Sequence, residues 1–166
     1  MKSIAITGPS GVGKTHILKT LFGITGGYGA LGVCGGKRPI ATRNNLQFIP
    51  ELKRIAKFRE ADNTKIEQGY RKLLTNGFVS CIDVGPYVSY CIPYARELTD
   101  CIVISIDCTE EQILTNLKSR KVQDNGKNNK VATAATSFKS LNRFHSNADL
   151  VLTQTQLLQY LQTQET

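Results

Sequence analysis

Apolar residues are spaced along this chain in two rhythms. Short runs of apolar and β-branched residues, Ser3 to Thr7, Phe78 to Asp83, Cys101 to Asp107 and Leu150 to Thr153, are too short for helices and read as buried strands. Between them the apolar positions recur at helical spacing, as in His16 to Phe22, directly after the first run, and Glu110 to Arg120, after the third. Thr109 with Gln112, and Thr153 with Gln156, have the spacing of capping boxes, so a helix is predicted to start immediately after each of the last two strands. Strands alternating with helices predict an α/β fold in three layers, a parallel sheet covered by helices on both faces, with ligands at the carboxyl ends of the strands.

Two stretches break the alternation. Residues 23 to 36 hold seven of the fourteen glycines and are followed by Lys37, Arg38 and Arg43. A loop of that length is costly to order, so it reads either as a substrate segment that orders on binding or as a disordered insert. The wider region from about 23 to 76 is assigned to substrate binding. Lys121 to Ser146 is polar, Asn-rich and basic, and reads as a lid over about 121–146. The 166 residues suit a single domain, 1–166.

Composition narrows the setting. No run of eighteen apolar residues and no signal-peptide pattern occurs, which excludes a membrane span and points to the cytoplasm. Cys34, Cys81, Cys91, Cys101 and Cys108 are odd in number and lack C-x-x-C spacing, so they read as small buried hydrophobes in preference to a metal site or a disulfide framework. The net charge of +8 is concentrated between Lys118 and Arg143, where seven basic residues face the single acid Asp124. Such a cluster suits polyphosphate, a nucleic-acid backbone or a solvated face, and the motif at the amino terminus favours polyphosphate.

That motif is Gly8-Pro9-Ser10-Gly11-Val12-Gly13-Lys14-Thr15, which matches the phosphate-binding pattern G-x-x-x-x-G-K-[ST] between a strand and a helix. Gly8, Ser10, Gly11, Val12 and Gly13 are expected to turn their N–H groups inward as an anion nest at a helix start. Lys14 would reach the β- and γ-phosphates and the Thr15 hydroxyl would ligate Mg²⁺. ATP and Mg²⁺ are therefore the expected cofactors. Asp83, ending a strand, would order Mg²⁺ through water or accept a hydrogen bond from the acceptor; a strand-end cap is its alternative. Glu60 is either a reader of a purine N–H edge or part of a surface ion pair, and His16 is read as exposed on the helix.

The form of this loop resembles that of guanylate kinases, and further pieces follow in that family's order: Lys37-Arg38-Pro39 with Arg43, then Phe58-Arg59-Glu60, Asn63-Thr64, Cys81-Ile82-Asp83-Val84, Glu110 to Arg120, and Ala148 to Leu152. The resemblance implies a P-loop kinase fold and phosphoryl transfer from ATP to a nucleoside monophosphate, guanylate or its deoxy form first. It implies that Arg38 and Arg43 hold the acceptor phosphate and Glu60 reads the base. Arg120, with Lys130, Lys127 or Arg143, would close over the reacting phosphates from the lid. The competing carboxylate is Glu51, after Phe48-Ile49-Pro50. A glutamate so placed resembles the base of nucleoside kinases, and would make the acceptor a hydroxyl compound such as a nucleoside. A sugar phosphate or polynucleotide hydroxyl, and a binding module that has lost the chemistry, are the remaining readings.

Overall fold

The computed structural model describes residues 2–26, 40–55, 58–85, 91–119 and 130–166. The expected alternation is present. Strands β1 (Lys2–Thr7), β2 (Thr42–Arg43), β3 (Leu46–Ile49), β4 (Val79–Gly85), β5 (Asp100–Ile106) and β6 (Leu150–Leu152) form one sheet in the order β2-β3-β4-β1-β5-β6. All neighbours are parallel except the edge pair β2 and β3. Helices α1 (Lys14–Phe22), α2 (Asn63–Leu74), α3 (Ile92–Leu98), α4 (Glu110–Ser119), α5 (Lys130–Ser146) and α6 (Gln154–Thr163) complete the three layers.

β1 lies at the centre because almost every residue in it is apolar or small: Ser3, Ile4, Ala5 and Ile6 are all fully buried, as a strand covered on both faces must be. The chain leaves β1 through α1 for one side of the sheet and later crosses to β5 on the other, so the crevice at the carboxyl end of β1 is the topological switch point. Both predicted capping boxes form. The Thr109 hydroxyl accepts from Gln112 N at 3.1 Å while Thr109 N donates to Gln112 Oε1 at 2.9 Å, and Thr153 with Gln156 repeats the pattern.

Of the stretch read as a lid, residues 121–129 lie outside the described residues and the remainder is helical. Residues 130–146 form the 17-residue helix α5, packed on α4 with Ala134, Ser137, Leu141 and Phe144 buried. Its apolar stripe is interrupted by serine, threonine and asparagine, which masked the helical period. The last turn is tied to β5 by His145, whose ring nitrogens meet Ser105 Oγ at 2.8 Å and Asp107 Oδ1 at 3.2 Å.

Among the described residues no helix is long and apolar enough to cross a membrane. Burial pushes the Cys81 and Cys91 thiols up to about 12 and raises those of Cys101 and Cys108, so these four are uncharged thiols. Cys34 lies outside the described residues.

Candidate functional site

The loop from Gly8 to Thr15 closes the carboxyl end of β1. Gly13 stands at the N-cap of α1 with φ 91°, a left-handed conformation that side-chain-bearing residues avoid, and a Cβ there would run into the Gln154 amide. The N-cap itself, being glycine, offers no side-chain cap to α1, and the start of a helix is where backbone N–H groups and the helix dipole favour an anion. Lys14, only 5% exposed, folds back so that Nζ donates to Gly8 O at 2.9 Å and Pro9 O at 3.4 Å. Its ammonium is thus held at the mouth of the nest.

Thr15, on the first turn of α1, donates from Oγ1 to Asp83 Oδ2 at 2.7 Å. Asp83 is in register with Ile6, one residue before the end of β1, and is 1% exposed. The parallel pairing of β1 with β4 is therefore what brings this carboxylate under the loop. A hydroxyl and a carboxylate side by side are hard oxygen donors, and suit Mg²⁺ held by few protein ligands and by substrate phosphates. Thr15 and Asp83 are the residues that would hold it, and when bound it would neutralise phosphate charge.

Glu51 joins them from the next strand. Ile49 is in register with Ile82 on β4, so Pro50 and Glu51 emerge at the same edge of the sheet as Asp83. Glu51 is 4% exposed. Arg54 Nε lies 2.8 Å from its Oε2 as an ion pair, yet among the described residues neither carboxylate oxygen has a hydrogen-bond partner. Burial pushes the Glu51 carboxyl above its ordinary value; the Arg54 guanidinium pulls it back, the Asp83 carboxylate raises it further and the Lys14 ammonium lowers it. Glu51 therefore feels the same field as the loop and Asp83.

The segment after Glu51 is held from below. Leu52 N donates to Tyr70 Oη on α2 at 3.3 Å, and Gly69 leaves room for Leu52, whose Cδ1 would lie 2.9 Å from a Cβ at that position.

A cleft of about 390 Å³ opens beside the loop. Gly13, Thr15, His16 and Lys19 line one wall, Arg54 lies at one side, and Asn116, Ser119 and Gln154 complete it. His16 is exposed on α1, as its position suggested. No local pattern marks Arg54, Asn116, Ser119 or Gln154, which reach the cleft beside the loop from distant parts of the chain. For Asn116 and Gln154 the separations from their loop partners are 105 and 142 residues.

Other expected site residues lie elsewhere. Arg43 is not brought to the loop: it pairs with Leu46, the first residue of β3, which pairs with Val79, the first of β4, and so stands at the opposite end of the sheet. There its Nη1 donates to Leu21 O at 3.1 Å and its Nε meets Glu165 Oε1 at 2.9 Å, so its charge serves to dock the carboxyl terminus. Glu60 lies in an exposed turn ahead of α2, and no helix spans it. Lys130 opens α5, whereas Arg143 is in its last turn, thirteen residues and about 20 Å further along the axis. Arg143 stacks over the neighbouring Phe144 ring, 5.4 Å from its centroid. Lys130 and Arg143 stand at opposite ends of α5, as alternatives for the lid and not as a pair. Arg38, Arg120 and Lys127, with Lys37, lie outside the described residues.

No protein-family model and no curated protein sequence matches the chain. Solved structures do. The shikimate kinase of Bacteroides thetaiotaomicron superposes with a TM-score of 0.57 at 13% identity, over 98% of this chain and 97% of that one. The shikimate kinase of Acinetobacter baumannii, in complex with shikimate, gives 0.52 at 15% identity over 98% and 92%. That of Aquifex aeolicus gives 0.50 at 12% identity over 98% and 95%. This chain has the P-loop kinase fold. At such identities the likeness is one of architecture, and it extends over 98% of the chain.

Proposed function

We propose that the protein is a kinase that transfers the γ-phosphoryl group of a nucleoside triphosphate, ATP first, to a hydroxyl group of a small molecule. One observation carries this reading: a buried Lys14 at the mouth of a glycine loop that ends in the Gly13 N-cap of α1, next to a Thr15 hydroxyl bonded to a buried Asp83. Phosphoryl transfer asks little covalent chemistry of a protein. It asks for positioned reactants and neutralised charge. The loop amides and Lys14 hold the donor, Thr15 and Asp83 hold Mg²⁺, and Glu51 accepts the proton of the acceptor hydroxyl as that oxygen attacks. A carboxyl lifted by burial is a better base near neutral pH than an exposed one.

The second reading, a nucleoside monophosphate acceptor with (d)GMP first, rests on the guanylate kinase resemblance and calls on Arg38, Arg43 and Glu60 for phosphate and base. Glu51 favours the hydroxyl, because a carboxylate in the field of Asp83 and Lys14 would repel an acceptor phosphate and serve an acceptor hydroxyl. A pure binding module has no use for a Lys14, Thr15 and Asp83 set arranged this way.

Coupled ADP release, measured with Mg·ATP against nucleosides, sugars and their phosphates, polyol acids, ribo- and deoxynucleoside monophosphates and oligonucleotides, separates these readings. Turnover on hydroxyl compounds that Glu51→Gln reduces by about 10²-fold or more supports the first. Turnover confined to monophosphates and indifferent to Glu51→Gln would overturn it in favour of the second.

A further inference from the structure

We propose that Asn116 and Gln154 are positioning residues that hold the phosphate loop in its anion-accepting form, an inference that rests on the loop binding a triphosphate. When successive amides of a loop turn their N–H groups inward, their carbonyls turn outward, and in a buried loop those carbonyls need donors from elsewhere. Gly11 and Val12 are both buried. Their carbonyls find such donors on two separate helices: Asn116 Nδ2 of α4 donates to Gly11 O at 2.7 Å, and Gln154 Nε2, at the start of α6, donates to Val12 O at 2.7 Å.

The direction of both carboxamides is fixed by chemistry, since a carbonyl can only accept and only the NH₂ end can face it. The fit is close as well. A Cβ on Gly13 would collide with the Gln154 amide, and one on Gly11 would lie 2.9 Å from Ile113 of α4. Asparagine is a poor residue for the interior of a helix, yet position 116 lies within α4. Lys14 holds the Gly8 and Pro9 carbonyls from the opposite side of the loop. Its ammonium would turn toward phosphate on binding, whereas the two carboxamides grip the outer side and stay in place.

The test uses Asn116→Leu and Gln154→Met, which keep size and neutrality and remove the donor. Calorimetry is run on the full chain with Mg·ATP, Mg·GTP and Mg·tripolyphosphate. Each variant is expected to weaken all three by the same factor, about tenfold, as befits loss of one net hydrogen bond from the phosphate site. The double variant should weaken them further. The two residues stand on different helices, so if one variant fails to fold the other still decides. Wild-type affinity for all three in a folded variant would overturn the proposal. So would a loss for Mg·ATP or Mg·GTP with none for tripolyphosphate, which would make the carboxamide a contact to the nucleoside. Absence of binding by the wild-type chain would instead defeat the kinase reading itself.

Discussion

Lys14 and Glu51 carry opposite charges into the same buried edge of the sheet, and they were legible to different degrees. Lys14 could be read from eight consecutive residues, because the chemistry of a phosphate loop is local. Lys14→Ala is expected to lower turnover by about 10³-fold or more while leaving the circular dichroism spectrum unchanged, by analogy with removal of one charge-stabilising donor from a catalytic site. Glu51 stood as one of two competing carboxylates with Glu60, because what separates them is which one the sheet buries. Strand β3 carries Glu51 to Asp83, while Glu60 remains exposed in a turn. Burial raises the Glu51 carboxyl above 4.5, so the folded protein holds a proton more tightly than the unfolded chain. The charged form therefore costs stability at pH values above the folded pKa, and that cost fades as pH falls toward 4.5. Glu51→Gln is accordingly expected to melt higher than the wild type at pH 7.5, with the advantage vanishing near pH 4.5 and below, even as kcat falls. Equal melting temperatures at both pH values would contradict this. A residue whose removal stabilises the fold and abolishes turnover is kept for function.

Among the elements, the strands and caps were the most legible and the substrate-side pieces the least. β1, β4, β5 and β6 begin and end within two residues of the apolar runs that predict them; β1, β4 and most of β5 are covered on both faces and so apolar nearly throughout, whereas β6, expected to be buried, is an edge strand with Leu150 and Val151 exposed. β2 has only two residues, both exposed, and no such signal. The α5 stripe was diluted by polar residues. α2 illustrates a constraint that shows only in three dimensions: Gly69 lies in the interior of a helix, where alanine would gain about 1 kcal/mol, but a Cβ there would lie 2.9 Å from Leu52 Cδ1 and 3.3 Å from Phe58 Cε1. Overpacking costs about 1–3 kcal/mol, and Leu52, fully buried, has little room to yield. Gly69→Ala is expected to lower Tm by a few degrees, at about 2–4 °C per kcal/mol for a domain of this size. It should also reduce kcat, because Leu52 carries the backbone that follows Glu51. A raised Tm with unchanged kcat would contradict the close-packing account.

For the molecule as a whole, the order β3-β4-β1-β5-β6 turns a local motif into a site. It sets Asp83 and Glu51 on one side of β1 and the α4 and α6 braces on the other, all at the carboxyl edge of the sheet. The same topology removes Arg43 to the far end. Fold class and donor loop follow from the apolar rhythm and one motif. The proposed acceptor side would be assembled from residues scattered over the chain, whose meeting depends on strand order that periodicity does not encode. The most direct measurement is calorimetric titration of Mg·ATP and Mg·GTP into the wild-type chain and into Lys14→Ala at low ionic strength. A saturable one-site heat with at least one nucleotide in the wild type, lost or weakened by at least about 10²-fold in the variant, is the predicted result. No heat with either nucleotide, or identical isotherms for both proteins, would contradict the account.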